Sequence, residues 1–187
     1  MGLDMYLRAS KYVSGYEFRG EEEVKEYRRL VRMFGMRKFA DPETPSATVE
    51  FTVAYWRKAN QIHNWFVEFV QGGEDECNPH LVSRDQLKEL RDLCQKVLES
   101  SELIPGEVHT GTIYSAEHPK GAVQLAPGQI VSDPRTAHEL LPTQEGFFYG
   151  NQDYDEWYWE DLKNTVEQLD RALGLGEEWD FEYQSSW

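Results

Sequence analysis

Apolar and polar positions alternate from the first residues. Leu3, Met5 and Leu7 fall on one side and Asp4 and Tyr6 on the other, the period of a half-buried strand. The last residues repeat the pattern, with Trp179, Phe181 and Tyr183 set against Asp180 and Glu182, and predict a closing strand in the same sheet. Between them the period changes to that of helices. Residues 21–34 open on Glu21, Glu22 and Glu23 and close on Arg28, Arg29 and Arg32, a charge order that suits the helix dipole. Val24, Tyr27, Leu30 or Val31 and Phe34 form the apolar stripe of that helix, and Gly35 is its stop. Ser83 with Gln86 reads as a capping box that starts a helix over 84–99, whose core face holds Leu87, Leu90, Cys94 and Val97. A last helix over 153–173 carries Tyr158, Leu162, Val166, Leu169 and Leu173, with Asp153 as its cap and Gly174 as its stop.

The stretch from Val53 to Gln71 stands apart, because its apolar residues cover more than one face of a 3.6-residue period. It is predicted to be a central helix buried on several sides. Upstream, Thr48, Glu50 and Thr52 alternate with Val49, Phe51 and Val53, and whether strand or helix holds at that junction stays open. Residues 101–141, rich in Gly, Pro and Ser, are expected to be irregular, with at most a short hairpin, and resemble an insertion. Gly146 to Gly150 reads as a short apolar strand. The expected fold is a single α+β domain over 1–187: a small, mostly antiparallel sheet including both termini, packed against about four helices around the central one.

Composition narrows the function classes. The chain has 187 residues and a net charge of −15, so its field repels nucleic acid and anionic membrane and direct binding of either is not expected. Two cysteines, Cys77 and Cys94, show no metal-ligand spacing, and neither metal nor cofactor is expected. No apolar run approaches the ~20 residues that a membrane span needs, and no leader-like segment is seen at the start. The expectation is therefore a soluble, intracellular protein. Six Trp and ten Tyr, residue types that interfaces favour, predict self-association.

Four stretches carry a resemblance: MGLDMYL at the start, YWRKANQIHNWFVE, LLPTQEGFFYGNQDYDEWYWEDLKNTVEQL, and YQSSW at the end. Spread over about half the chain, they resemble a family of small bacteriophage and prophage proteins for which no activity can be carried over. The resemblance implies a context only: a phage-encoded protein acting in the host bacterial cytoplasm.

The candidate chemistry lies mainly in the second of these stretches. Arg57 and Lys58 suit phosphate, Trp56 suits stacking on a base, and Asn60 and His63, three apart, suit the edges of one. Tyr154 and Tyr158 could face them from the late helix. In the other reading, Arg57 and Lys58 are merely exposed, and Asn60 and His63 are satisfied core groups. The carboxylates Asp153, Asp155, Glu156, Glu160 and Asp161 suit a hard cation, though without EF-hand spacing, or acid–base chemistry, or simply complement a helix start. No P-loop, nucleophile elbow or other catalytic motif is present in the sequence, which weighs against an enzyme. The expected function is to bind and sequester a small nucleotide-like signalling molecule of bacterial immunity. The alternatives are an acidic protein inhibitor of a host defence protein, with DNA mimicry as one form it can take, and a nucleotide-degrading enzyme that uses His63 or the carboxylates of 153–161.

Overall fold

A computed structural model describes residues 2–115, 119, 121–146 and 150–187. The two terminal strands, β1 (Asp4–Ser14) and β6 (Asp180–Ser186), pair with each other in the middle of a four-stranded antiparallel sheet. Asp4 lies opposite Ser186, so the ends of the described chain are neighbours. β2 (Ser46–Arg57) flanks β1 and the short β3 (His80–Val82) flanks β6, giving the order β2-β1-β6-β3. This is the α+β architecture that the terminal alternation predicts.

Strand period decides which face is core. Met5, Leu7 and Ala9 of β1 are buried together with Phe181 and Tyr183 of β6. The opposite face is half-exposed and polar, with Arg8 near Glu50, Glu182 and Gln184. Three helices cover the apolar face: α2 (Asn60–Phe69), α3 (Arg84–Ser100) and α5 (Glu156–Leu173). Phe66 of α2 stacks on Tyr183 with ring centres 3.8 Å apart, and α3 and α5 pack through Leu87, Leu90, Cys94, Leu162 and Leu169, all wholly buried. The capping box at Ser83 is formed on both sides, as its spacing predicts. α1 (Glu21–Met33) covers the far end of β1, where Val24 and Tyr27 are buried, but Phe34 of the expected stripe lies exposed beyond the helix end.

The structure corrects three of these expectations. The central helix does not begin at Val53, because β2 runs on to Arg57 and keeps period two, with Ala54 and Trp56 buried and Tyr55 and Arg57 exposed. Pairing with β1 holds that segment extended, and helix starts only after a reversal at Lys58. What remains, α2, has the predicted character: Asn60, Gln61, Ile62, His63, Trp65, Phe66 and Val67 are all buried. The stretch read as irregular contains a long antiparallel ribbon, β4 (Leu103–Ile113) and β5 (Ala122–Val131), followed by the short α4 (Arg135–Leu140). Its glycines are what make the pairing close. A Cβ at Gly106 would meet Ile130 at 2.7 Å, and one at Gly128 would meet Val108 at 2.7 Å. Finally, α5 is capped by Asp155 and not by Asp153. Asp155 accepts from the backbone of Trp157 and Tyr158. The short strand expected at 146–150 falls largely outside the described residues.

Candidate functional site

The reversal between β2 and α2 builds one side of a cleft. Lys58 adopts φ 60°, and among the described residues it is the only non-glycine with positive φ. Its amide donates to the carbonyl of Leu3 at 2.8 Å and its carbonyl accepts from Asn60 at 2.9 Å, so the corner is held at both ends. A left-handed lysine costs about 1 kcal/mol or more, a strain of the kind that collects at functional sites. Gly150 presses against this corner. It has φ +92°, and a Cβ there would lie 3.3 Å from Lys58 Cβ and 3.4 Å from its carbonyl oxygen.

Asn60 fixes the opposite side. Its side-chain amide donates to the carbonyl of Asn151 at 2.8 Å, and its side-chain oxygen accepts from the amide of Gln144 at 2.8 Å. One buried side chain thus ties down two points of the segment leading into α5. Asn64 and Gln144 add a further bond at 2.9 Å, and Asn151 bonds Asp155 at 2.9 Å. Tyr158 reaches back to the carbonyl of Leu141 at 3.0 Å.

Enclosed between these parts is a cleft of about 390 Å³. Arg57, Lys58 and Gln61 line one side, and Asp153, Trp157 and Asp161 the other. Such a volume falls in the range of small-ligand sites. Arg57 pairs with Asp4 at 3.5 Å, while the ammonium of Lys58 has no partner among the described residues. Trp157 is 68% exposed, so the face of its indole is open to a ligand in the cleft. Asp153 keeps one buried carboxylate oxygen without a hydrogen bond among the described residues. Asp161 accepts from the Gln61 amide at 3.1 Å, yet burial pushes its carboxyl up to about 7, with the charges of Asp155 and Glu160 adding to the rise.

Of the residues singled out from the sequence, Arg57, Lys58, Asn60 and Tyr158 meet on this cleft. Asn60 lies on its wall, but its amide is committed to the loop and is not free to read a ligand edge. Trp56, His63 and Tyr154 go elsewhere. Trp56 is buried beside Phe66 and donates its indole N–H to Thr165 at 2.9 Å, because period two turns it into the core while Arg57 faces out. His63 lies on the other side of α2 from the cleft, within 2.7 Å of the Tyr183 hydroxyl and 3.1 Å of Asp75. Burial holds its imidazole below its ordinary value. Tyr154 lines a separate hollow under the ribbon, bonded to Thr143 and His138.

Gln61, Trp157 and Asp161 were not assigned to a ligand by sequence. Asp161 stood among the carboxylates, but only the packing of α5 on α2 separates it from the outward-facing Glu160, which pairs with Lys163. Among the described residues no group of three or more His, Cys, Asp or Glu side chains could hold a metal ion. None of their helices is long and apolar enough to cross a membrane. Neither family models, nor curated proteins, nor solved structures give a match to this chain.

Proposed function

We propose that this protein binds a small, anionic, nucleotide-like molecule in the cleft between the Lys58 corner and the start of α5. The observation that carries the reading is Lys58 itself: a cation without a partner among the described residues, held in a strained conformation on the lining of a concave site, beside Arg57 and an exposed indole. Phosphate oxygens would accept from Lys58 and Arg57, and a base would lie on Trp157. A ribose hydroxyl or exocyclic amine would donate to the carboxylate of Asp153, which lines the cleft. A net charge of −15 does not forbid this, since charges beyond about 8 Å are largely screened at physiological salt.

Sequestration of a signalling nucleotide in a phage-infected bacterium is the role that joins this chemistry to the sequence resemblance, and the context rests on that resemblance alone. One observation favours a second reading, the degradation of such a molecule. Asp161 titrates near neutrality inside the cleft, as a proton-transfer group does. His63 of α2, by contrast, is buried beside Tyr183 and Asp75 and does not line the cleft.

A single experiment separates the two. The pure protein is incubated with a panel of cyclic and linear nucleotides, bound material is released by heat, and the ligand is analysed. Intact ligand supports binding and holding, altered ligand supports an enzyme, and absence of binding across the panel overturns both.

A further inference from the structure

α1 carries its charges in two opposed halves. Glu17 just before it and Glu21, Glu22, Glu23 and Glu26 within it, with only Arg19 and Lys25 among them, are followed by Arg28, Arg29, Arg32, Arg37 and Lys38, and no acid intervenes between Glu26 and Asp41. None of the five later cations forms an ion pair or side-chain hydrogen bond among the described residues. Large apolar side chains flank the same helix and are uncovered: Phe18 at its start, and Met33, Phe34, Met36 and Phe39 at its end, from 44% to 81% exposed. Single exposed apolar residues are ordinary. Five around one helix, beside unpaired arginines, mark an interaction surface.

We infer that this surface is the interface of a symmetric homodimer in which the α1 helices of two copies pack antiparallel. A partner of uniform charge, such as an anionic membrane or a nucleic acid, would be drawn to the arginine half and repelled by the glutamate half. A second copy, turned about a two-fold axis, matches both halves at once. With the axis at the level of Tyr27, Glu22 of one copy lies beside Arg32 of the other, and the reverse, because both sit five residues from it. That offset is about 7.5 Å along the helix on each side. Phe18 of one copy then approaches the Met33 to Phe39 turn of the other, which buries the uncovered apolar groups.

Glu21 and Glu22 already contact Lys25 at 3.7 and 2.7 Å, but these pairs lie at the exposed surface and re-form at little cost. Lys25 and Arg29 approach their counterparts near the axis, where Glu22 and Glu26 lie beside them. Glu26 keeps Lys11 at 3.1 Å, and Glu23 accepts from the backbone of Ser14 at 3.0 Å.

The test is sedimentation equilibrium of the full chain at low and high salt. Wild type is expected to dimerise, more weakly as salt rises. Glu22→Arg and Arg32→Glu alone should each weaken the dimer roughly tenfold or more, since each change acts twice across the axis. The double variant Glu22→Arg/Arg32→Glu should return to within about threefold of wild type, because it exchanges the charges without losing the pairing. Both positions are exposed, so circular dichroism should show the fold unchanged. A wild type that stays monomeric at low salt and high concentration overturns the proposal. So does a dimer indifferent to the single changes, a double variant no stronger than either single, or binding to anionic vesicles in place of self-association.

Discussion

Gln61 donates its side-chain amide to the carboxylate of Asp161 at 3.1 Å, joining the first turn of α2 to α5 at the base of the cleft. The bond favours the charged carboxylate, and yet Asp161 is pushed up to about 7 because burial costs the anion more than the amide returns. One group in the cleft therefore changes charge around neutral pH, and this has consequences for both stability and binding.

Asp161 is raised above its unfolded value of 3.8, so the folded state holds a proton that the unfolded chain has lost. Stability contributed by this group is full below about pH 4 and is lost as pH rises towards 7. Asp161→Asn keeps an acceptor for Gln61 and removes the titration. It should stabilise the protein by about 1–3 kcal/mol at pH 8 and by little at pH 4. Urea unfolding at the two pH values measures the difference.

The same proton should govern the binding of an anionic ligand proposed for the cleft. Below about pH 7 Asp161 takes up a proton, and the cleft that Arg57 and Lys58 line loses one negative charge. A cyclic phosphodiester, which does not itself titrate there, should bind roughly three- to tenfold tighter at pH 6 than at pH 8. In Asp161→Asn that dependence should vanish. Calorimetric titration across pH in both proteins is the check.

Gly150 tests the opposite wall. Alanine there meets both a left-handed φ and the Lys58 backbone, so Gly150→Ala should cost about 1–2 kcal/mol. It should also weaken ligand binding by displacing Lys58. Thermal melts and binding isotherms of the variant measure the two effects.

His63 is buried and neutral, with Tyr183 and Asp75 at its two ring nitrogens. Burial lowers its proton affinity more than Asp75 restores it. The unfolded chain then binds a proton that the folded chain refuses, so stability should fall as pH drops below about 6.5. Tyr183→Phe removes a buried hydroxyl from this network and should cost about 1–3 kcal/mol at pH 7. Ligand binding should be unchanged, since neither residue lines the cleft.

The sequence carried the architecture well. Alternation at 3–7 and 179–183 marked two strands that turn out to be partners, and the capping box at Ser83 placed α3. It failed where two periods overlap. Val53, Trp56 and Asn60 lie at helical spacing, but the strand paired with β1 takes up the first two, Trp56 opposite Met5 and Val53 at a bulge, and a single left-handed residue, Lys58, divides the run. The ribbon was hidden because close strand pairing there relies on Gly106 and Gly128, which read locally as loop. For the cleft, Arg57 and Lys58 were legible as neighbouring cations, while Gln61, Asp161 and Trp157 were not, because their convergence depends on how α5 packs against α2. Trp56 and His63 misled for a related reason: the same run of residues lines the core as well as the cleft.

The most direct measurement is nucleotide binding by Lys58→Gly. Glycine accepts φ 60° without strain, so this variant should melt at or slightly above the wild-type temperature, by up to about 1 kcal/mol in stability. Loss of the ammonium removes a charge-assisted contact worth about 1.5–3 kcal/mol, so affinity should drop roughly tenfold to a hundredfold. A variant that is as stable as wild type and binds poorly is the predicted result. A variant that binds the same nucleotide with unchanged affinity would contradict the assignment of the cleft.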